Sequence, residues 1–311
     1  MAVSITVEHY GNYGKCVKLD NGLCELLVSV DLGPRVLYFA LKDHENLFFN
    51  DTQDSISHSG ADFDSMYYKG AAWHIYGGHR LWVSPEAMPE TYYPDNTPVP
   101  YEIGENEVVL RCEKEIHNDR QYTITIQMQP DSAEVTLIHE IANCSQSVQR
   151  FAPWSLNVTD KGGAVIVPQA DRPTDLLANR VLAVWPYSNM ADERVMWGKD
   201  FITLQQKTPC DGPFKVGTNN EKGFAILVNK GQAMRFGFTM DLQAEYPDYG
   251  CSFETYTNEL MLEVETLSPI QDVAPGESVV HTETWSLAAL DAPVDVKNEA
   301  DCARVAALFA K

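Results

Sequence analysis

The chain has 311 residues, 44% of them hydrophobic and 22% charged, with a formal net charge of −21. That length holds one large β domain or two ordinary ones, and the apolar content is enough for a sizeable core. The acidic balance argues against nucleic acid and against anionic membrane surfaces, which basic footprints hold, and favours carbohydrate or another neutral polar ligand.

The patterning is β almost throughout. Apolar-rich runs at 5–10, 15–19, 24–30 and 36–41, separated by Gly, Asn and Asp, predict a meander. Three consecutive strands follow at 107–115, 121–129 and 134–141. In the middle one Tyr122, Ile124, Ile126 and Met128 share a face. The links 116–120 and 130–132 have hairpin chemistry, and His117 falls in a turn while His139 falls in a strand. After an irregular, Pro-containing stretch at 168–198, strands resume at 201–207, 224–229, 234–240 and 278–287. The segment 298–310 carries a helical pattern, with Val305, Leu308 and Phe309 on one side. No linker or internal repeat divides the chain, so the expectation is a single all-β domain spanning 1–311, an antiparallel sandwich closed by a short C-terminal helix.

Seven cysteines, at 16, 24, 112, 144, 210, 251 and 302, form no CxxC and no metal-ligand rhythm, and read as free thiols. The N-terminus lacks a basic head followed by an apolar run, and no stretch approaches the ~18 apolar residues of a membrane span. Together these features point to a reducing cytoplasm.

Two segments carry chemistry. In the first, Ser252–Pro269, residues alternate with period 2, so Glu263 and Glu265 stand on one face of a strand with Met261 and Leu267. Their Cα atoms are expected about 6 to 7 Å apart, within reach of one sugar-sized ligand. The second is the connection 50–101, long for a loop in a compact fold. It holds Trp73-His-Ile-Tyr-Gly-Gly-His-Arg-Leu-Trp82 and Glu86. Aromatic rings stack on the apolar faces of pyranoses, while Arg, His and carboxylates hydrogen-bond hydroxyls, so His74, Arg80, Trp82 and Glu86 are candidate ligand contacts. Gly77 and Gly78 would let the backbone approach a ligand. His74 and His79 near Glu86 lack the HExxH spacing, and neither a metal nor a cofactor is expected. For an anionic ligand, Arg35, Arg80 and Lys215 are candidates for a basic clamp, although Arg35 and Lys215 read equally well as surface charges.

The segment 73–86, with Tyr246-Pro-Asp248-Tyr-Gly, Phe253-Glu-Thr-Tyr-Thr-Asn, Leu262-Glu-Val-Glu-Thr-Leu-Ser-Pro, Ala274-Pro-Gly-Glu-Ser and Glu283-Thr-Trp-Ser-Leu, resembles an uncharacterised bacterial family of the galactose-mutarotase-like superfamily. The resemblance implies a β-supersandwich with a carbohydrate cleft on a concave sheet face. It also implies aldose 1-epimerase-type acid–base chemistry on a sugar, or sugar binding without turnover. Glycan cleavage by a carboxylate pair is a further alternative. In such epimerases a Glu ahead of a Pro-Gly-Glu turn is the base, and Glu265 matches it. The acid is a His after an Asn-x-Ser turn, where this chain offers Trp154 and Ser155 instead. His79 is the nearest substitute for the acid, and Trp154 could be a stacking platform. The implied substrate contacts are therefore His74, Arg80, Trp82, Glu86, Trp154, Lys215, Asp248 and Glu263, around the pair Glu265 and His79.

Overall fold

A computed structural model describes residues 2–310. Among them the strands form two large antiparallel sheets, of eleven and ten strands, and one two-stranded hairpin. The first sheet runs from its Ser4–His9 edge through Lys15–Asp20, Cys24–Ser29 and Val36–Leu41 to a centre of Gly78–Ser84, Gln149–Asp160 and Met261–Leu267. It continues through Phe253–Thr257 and Phe214–Thr218 to Leu182–Val184. The second sheet places Ser278–Ala289 between Gln232–Phe238 and Glu134–Asn143.

The sheets face one another across the main core, which draws on residues from Val3 to Leu287. Leu26, Phe39, Leu81 and Val264 enter it from the first sheet, and Ile126, Leu137, Phe236 and Trp285 from the second. Trp285 is fully buried, its ring 5.8 Å from Phe39 and 5.5 Å from Phe48. Burying one such aromatic stabilises by about 1.5–3 kcal/mol or more. A separate apolar cluster, with Trp73, Trp82, Trp154, Leu156 and Met261, covers the other face of the first sheet. The Glu299–Ala307 helix, capped by the Asn298 side chain on the Ala300 N–H, sets Cys302 and Val305 on the outer face of the second sheet against Ile166 and Ile226. Of its expected apolar side, Val305 is buried and Leu308 is exposed.

The structure corrects the reading of 50–101 as a connection. The segment contains the Ser57–Ser59/Ala72–His74 hairpin, the Ala61–Met66 helix and Gly78–Ser84, a central strand of the first sheet. All seven residues of that strand are buried, because both faces of the sheet are covered there; burial on both sides erases the alternation that marks a strand in sequence. The two glycines are needed for the backbone rather than for a ligand. A Cβ on Gly77 would lie 2.0 Å from the Phe49 carbonyl oxygen and one on Gly78 2.0 Å from that of Val36. All seven cysteines are free thiols.

Candidate functional site

Strand pairing decides what meets on the first sheet. Leu156 lies opposite both Arg80 and Glu265, Trp154 opposite both Trp82 and Leu267, and Tyr256 opposite both Lys215 and Glu263. Directly paired residues share a face. Arg80, Trp82, Trp154, Lys215, Glu263 and Glu265 therefore project together, away from the main core.

All of them but Glu265 wall a cleft of about 220 Å³, flanked by the Ser57–Ser59/Ala72–His74 hairpin and by Tyr187. Trp82 lies edge-on to Trp154 with centroids 5.8 Å apart, and Tyr92 packs 4.7 Å from Trp82. The Arg80 guanidinium sits 4.2 Å from the Trp82 ring centre and 5.5 Å from that of Trp73, inside the ~6 Å range of cation–π attraction. Its Nη2 donates to Glu263 Oε1 at 3.4 Å, while Nε and Nη1, both buried, have no partner among the described residues. Glu86 reaches the rim, where its carboxylate accepts a short hydrogen bond from the Tyr92 hydroxyl.

Below this wall lies a buried charge cluster. Lys215 Nζ donates to Glu265 Oε2 at 2.9 Å and to Glu254 Oε2 at 2.8 Å, and sits 4.8 and 4.7 Å from the Trp154 and Trp185 ring centres. Trp154 Nε1 donates to the same Glu265 oxygen at 3.0 Å. Burial raises both carboxyls above the ordinary range, Glu254 to about 8 and Glu265 to about 7, with Lys215 working the other way. The two carboxylates in turn hold Lys215 protonated, well above its usual value, against the opposing pull of burial.

A carboxyl whose folded-state pKa exceeds its unfolded value keeps a proton that the unfolded chain has already lost. Stability from these groups is thus present at low pH and is lost as pH rises from about 4.5 towards about 8. Urea denaturation at intervals across that window is expected to show the decline, and Glu254→Gln to flatten it. An unchanged slope in the variant would count against Glu254 as a contributor.

Several expected site residues lie elsewhere. His79 does not meet Glu265. It neighbours Arg80 in the chain, so its side chain points through the opposite face into the layer between the sheets, fully buried against Asn157 and His139. Glu265 stands on the expected face with Glu263, but Trp154 and Lys215 cover it and it does not line the cleft. His74 points to a different depression and pairs with Asp54 at 2.6 Å. Asp248, half-buried on the Pro247–Gly250 turn with φ 50°, is also outside the cleft. Arg35 and Lys215 are not surface charges: both are buried, and Arg35 forks onto Asp95 at 2.5 and 3.1 Å in another part of the fold. Sequence reasoning missed Glu254, Trp185 and His58. For Glu254 a signal existed, since a hairpin turning at Asn258 with Thr257 opposite Leu262 places Glu254 opposite Glu265.

No protein-family model matches the chain, and no curated protein matches it. Solved structures do. A galactose mutarotase-like protein from Lactobacillus casei superposes with a TM-score of 0.57 at 8% identity, covering 88% of this chain and 100% of its own. A second galactose mutarotase-like protein, from Clostridium acetobutylicum, gives 0.53 at 12% identity, covering 93% and 99%. A TPR-domain protein from Parabacteroides distasonis gives 0.58 at 13% identity over 91% of this chain, which spans only 48% of that longer protein. At such identities the likeness concerns the fold, and the chain has the galactose-mutarotase-like fold.

Proposed function

We propose that the whole chain acts as one carbohydrate-binding domain that takes a saccharide into the cleft of Trp73, Trp82, Arg80 and Lys215. The observation that carries this is Arg80, which lies against the Trp73 and Trp82 rings at a cleft wall with its buried Nε and Nη1 lacking a partner among the described residues. An unmade hydrogen bond on a buried charged group is costly, and a hydroxyl-rich ligand would remove the cost. Sugars suit the rest of the wall as well, because their C–H faces stack on aromatic rings and their hydroxyls both donate and accept. A cleft of about 220 Å³ is smaller than the ~300–1,000 Å³ pockets of drug-sized ligands and matches a single sugar ring.

Saturation-transfer NMR on a panel of free and phosphorylated aldoses and short oligosaccharides tests this directly. Binding is expected in the wild type and at least about tenfold weaker in Trp82→Ala, the loss typical of a buried aromatic contact. No transfer from any member of the panel would reject the reading.

Aldose 1-epimerase-type isomerisation is a second reading, for which the groups that line the cleft are the candidates. Glu263 and His58 both line the cleft, whereas Glu265 is covered and His79 faces away. Glu263 would take the proton of the anomeric hydroxyl as the C1–ring oxygen bond breaks, and His58 would protonate the ring oxygen. Anomer exchange read in the same NMR tubes is expected to fall by about 10²–10⁴ in Glu263→Gln, with binding retained. Exchange at the buffer rate in the wild type would leave the binding protein alone.

A further inference from the structure

We propose that His79 and His139 bind one proton between them as a single cation, with Glu283 as its counter-charge, in a sealed site between the sheets behind the cleft. Three contacts of the pair need hydrogens. His79 Nδ1 faces the Asn157 side-chain oxygen at 3.1 Å, His139 Nδ1 faces the His281 carbonyl oxygen at 3.2 Å, and the two Nε2 atoms face each other at 2.9 Å. Both oxygens are acceptors, so each Nδ1 must carry hydrogen, and the central contact needs a third. Two neutral imidazoles supply two. Turning the Asn157 amide over does not help, because its Nδ2 donates to the Val264 carbonyl at 3.0 Å, and the flip would set oxygen against oxygen there. A third proton, shared between the Nε2 atoms, satisfies all three contacts at once.

The counter-charge is equally legible. Glu283 is fully buried and receives three donors: the Thr266 hydroxyl at 2.7 Å, the Ser155 hydroxyl at 2.7 Å and Trp285 Nε1 at 3.1 Å. An ionised carboxylate accepts all three. Because Thr266 spends its hydrogen on Glu283, the His281 Nε2 at 2.6 Å from that hydroxyl must be the donor, and burial disfavours a second proton on that ring. Ligand atoms of His79, His139 and Glu283 lie within 4.8 Å of one another, so cation and anion are close neighbours.

Other charges near the pair are Arg35 and Arg80. They act with burial to disfavour a cation on His79, and burial likewise disfavours a cation on His139 and an anion on Glu283. Moving the proton from the pair to Glu283 would answer burial, but it would leave one ring lone pair directed at another acceptor. The geometry therefore places the charge on the rings. A metal ion fits less well. Zinc–nitrogen bonds of about 2.0–2.1 Å at tetrahedral angles hold two nitrogens roughly 3.3 Å apart, wider than the 2.9 Å seen, and both Glu283 oxygens are already engaged.

Histidine-selective ¹⁵N labelling of the intact protein reads the protonation of each ring nitrogen, with His139→Gln to assign the signals. The expected spectrum near pH ~7 has three N–H protons on the pair, both Nδ1–H and one shared Nε2–H, exchanging slowly with water. An unprotonated Nδ1 on either ring would overturn the proposal, as would a metal ion found in one-to-one amount with the purified protein. Glu283→Gln is expected to abolish the shared proton signal; its survival would remove Glu283 as the counter-charge. If that variant fails to fold, the wild-type spectrum still decides the proton count.

Discussion

Lys215→Met should cost about 3–5 kcal/mol of folding stability, most of it at alkaline pH. Lys215 is 5% exposed and its ammonium is the direct partner of both Glu254 and Glu265, so its loss leaves two buried carboxyls without a cation. At acid pH those carboxyls protonate and the penalty shrinks. At alkaline pH the unfolded chain ionises both carboxyls freely, whereas in the folded variant they must either ionise without a cation or hold their protons, because removing Lys215 takes away the charge that lowers both values. Urea denaturation of variant and wild type at about pH 5.5 and about pH 8.5 measures the difference. A deficit that is equal at the two pH values would mean that Lys215 contributes through packing on Trp154 and Trp185 rather than through charge.

Gly78→Ala is the second large effect, and here the expected outcome is failure to accumulate folded protein. The new methyl carbon would sit 2.0 Å from the Val36 carbonyl oxygen, on a backbone with φ 64°. Neither atom belongs to a flexible side chain, so the junction of Val36–Leu41 with Gly78–Ser84 must open, and a cost above about 4 kcal/mol follows from strain and lost pairing together. Gly162 is the internal control. Its φ is 84°, yet an added Cβ meets nothing within 4 Å, and alanine there should cost only about 1–2 kcal/mol. Comparable melting temperatures for the two variants would contradict the steric account.

Much of this site was legible in the sequence wherever a local rule was enough. Period-2 alternation puts Glu263 and Glu265 on one face, and they are there. The clustering of aromatic residues with Arg80 along 73–86 marked them as one group, and Trp73, Arg80, Trp82 and Glu86 do line one cleft. What could not be read was anything that depends on which distant strands pair. Gly78–Ser84 looked like loop because burial on both sides leaves no alternation, and with it went the information that His79 and Arg80 must face opposite ways. The partnership of Lys215 with Glu265 requires Phe253–Thr257 to lie between their strands, a register that no local pattern announces. Glu254 was within reach, because the Asn258 turn and a count back along the hairpin lead to it.

The Gly78–Ser84, Gln149–Asp160 and Met261–Leu267 strands present Arg80, Trp154 and Glu263 on the cleft side and His79, Ser155 and Thr266 on the other. A mutational scan along any of them should therefore give two interleaved phenotypes. Alternate positions would alter ligand response in a protein that still folds, and the positions between them would reduce the amount of folded protein while sparing the affinity of what remains. If the cleft takes the proposed saccharide, its adaptation to another is confined to every second residue of its own floor, and a one-residue insertion or deletion in these strands would exchange the two sets at a stroke.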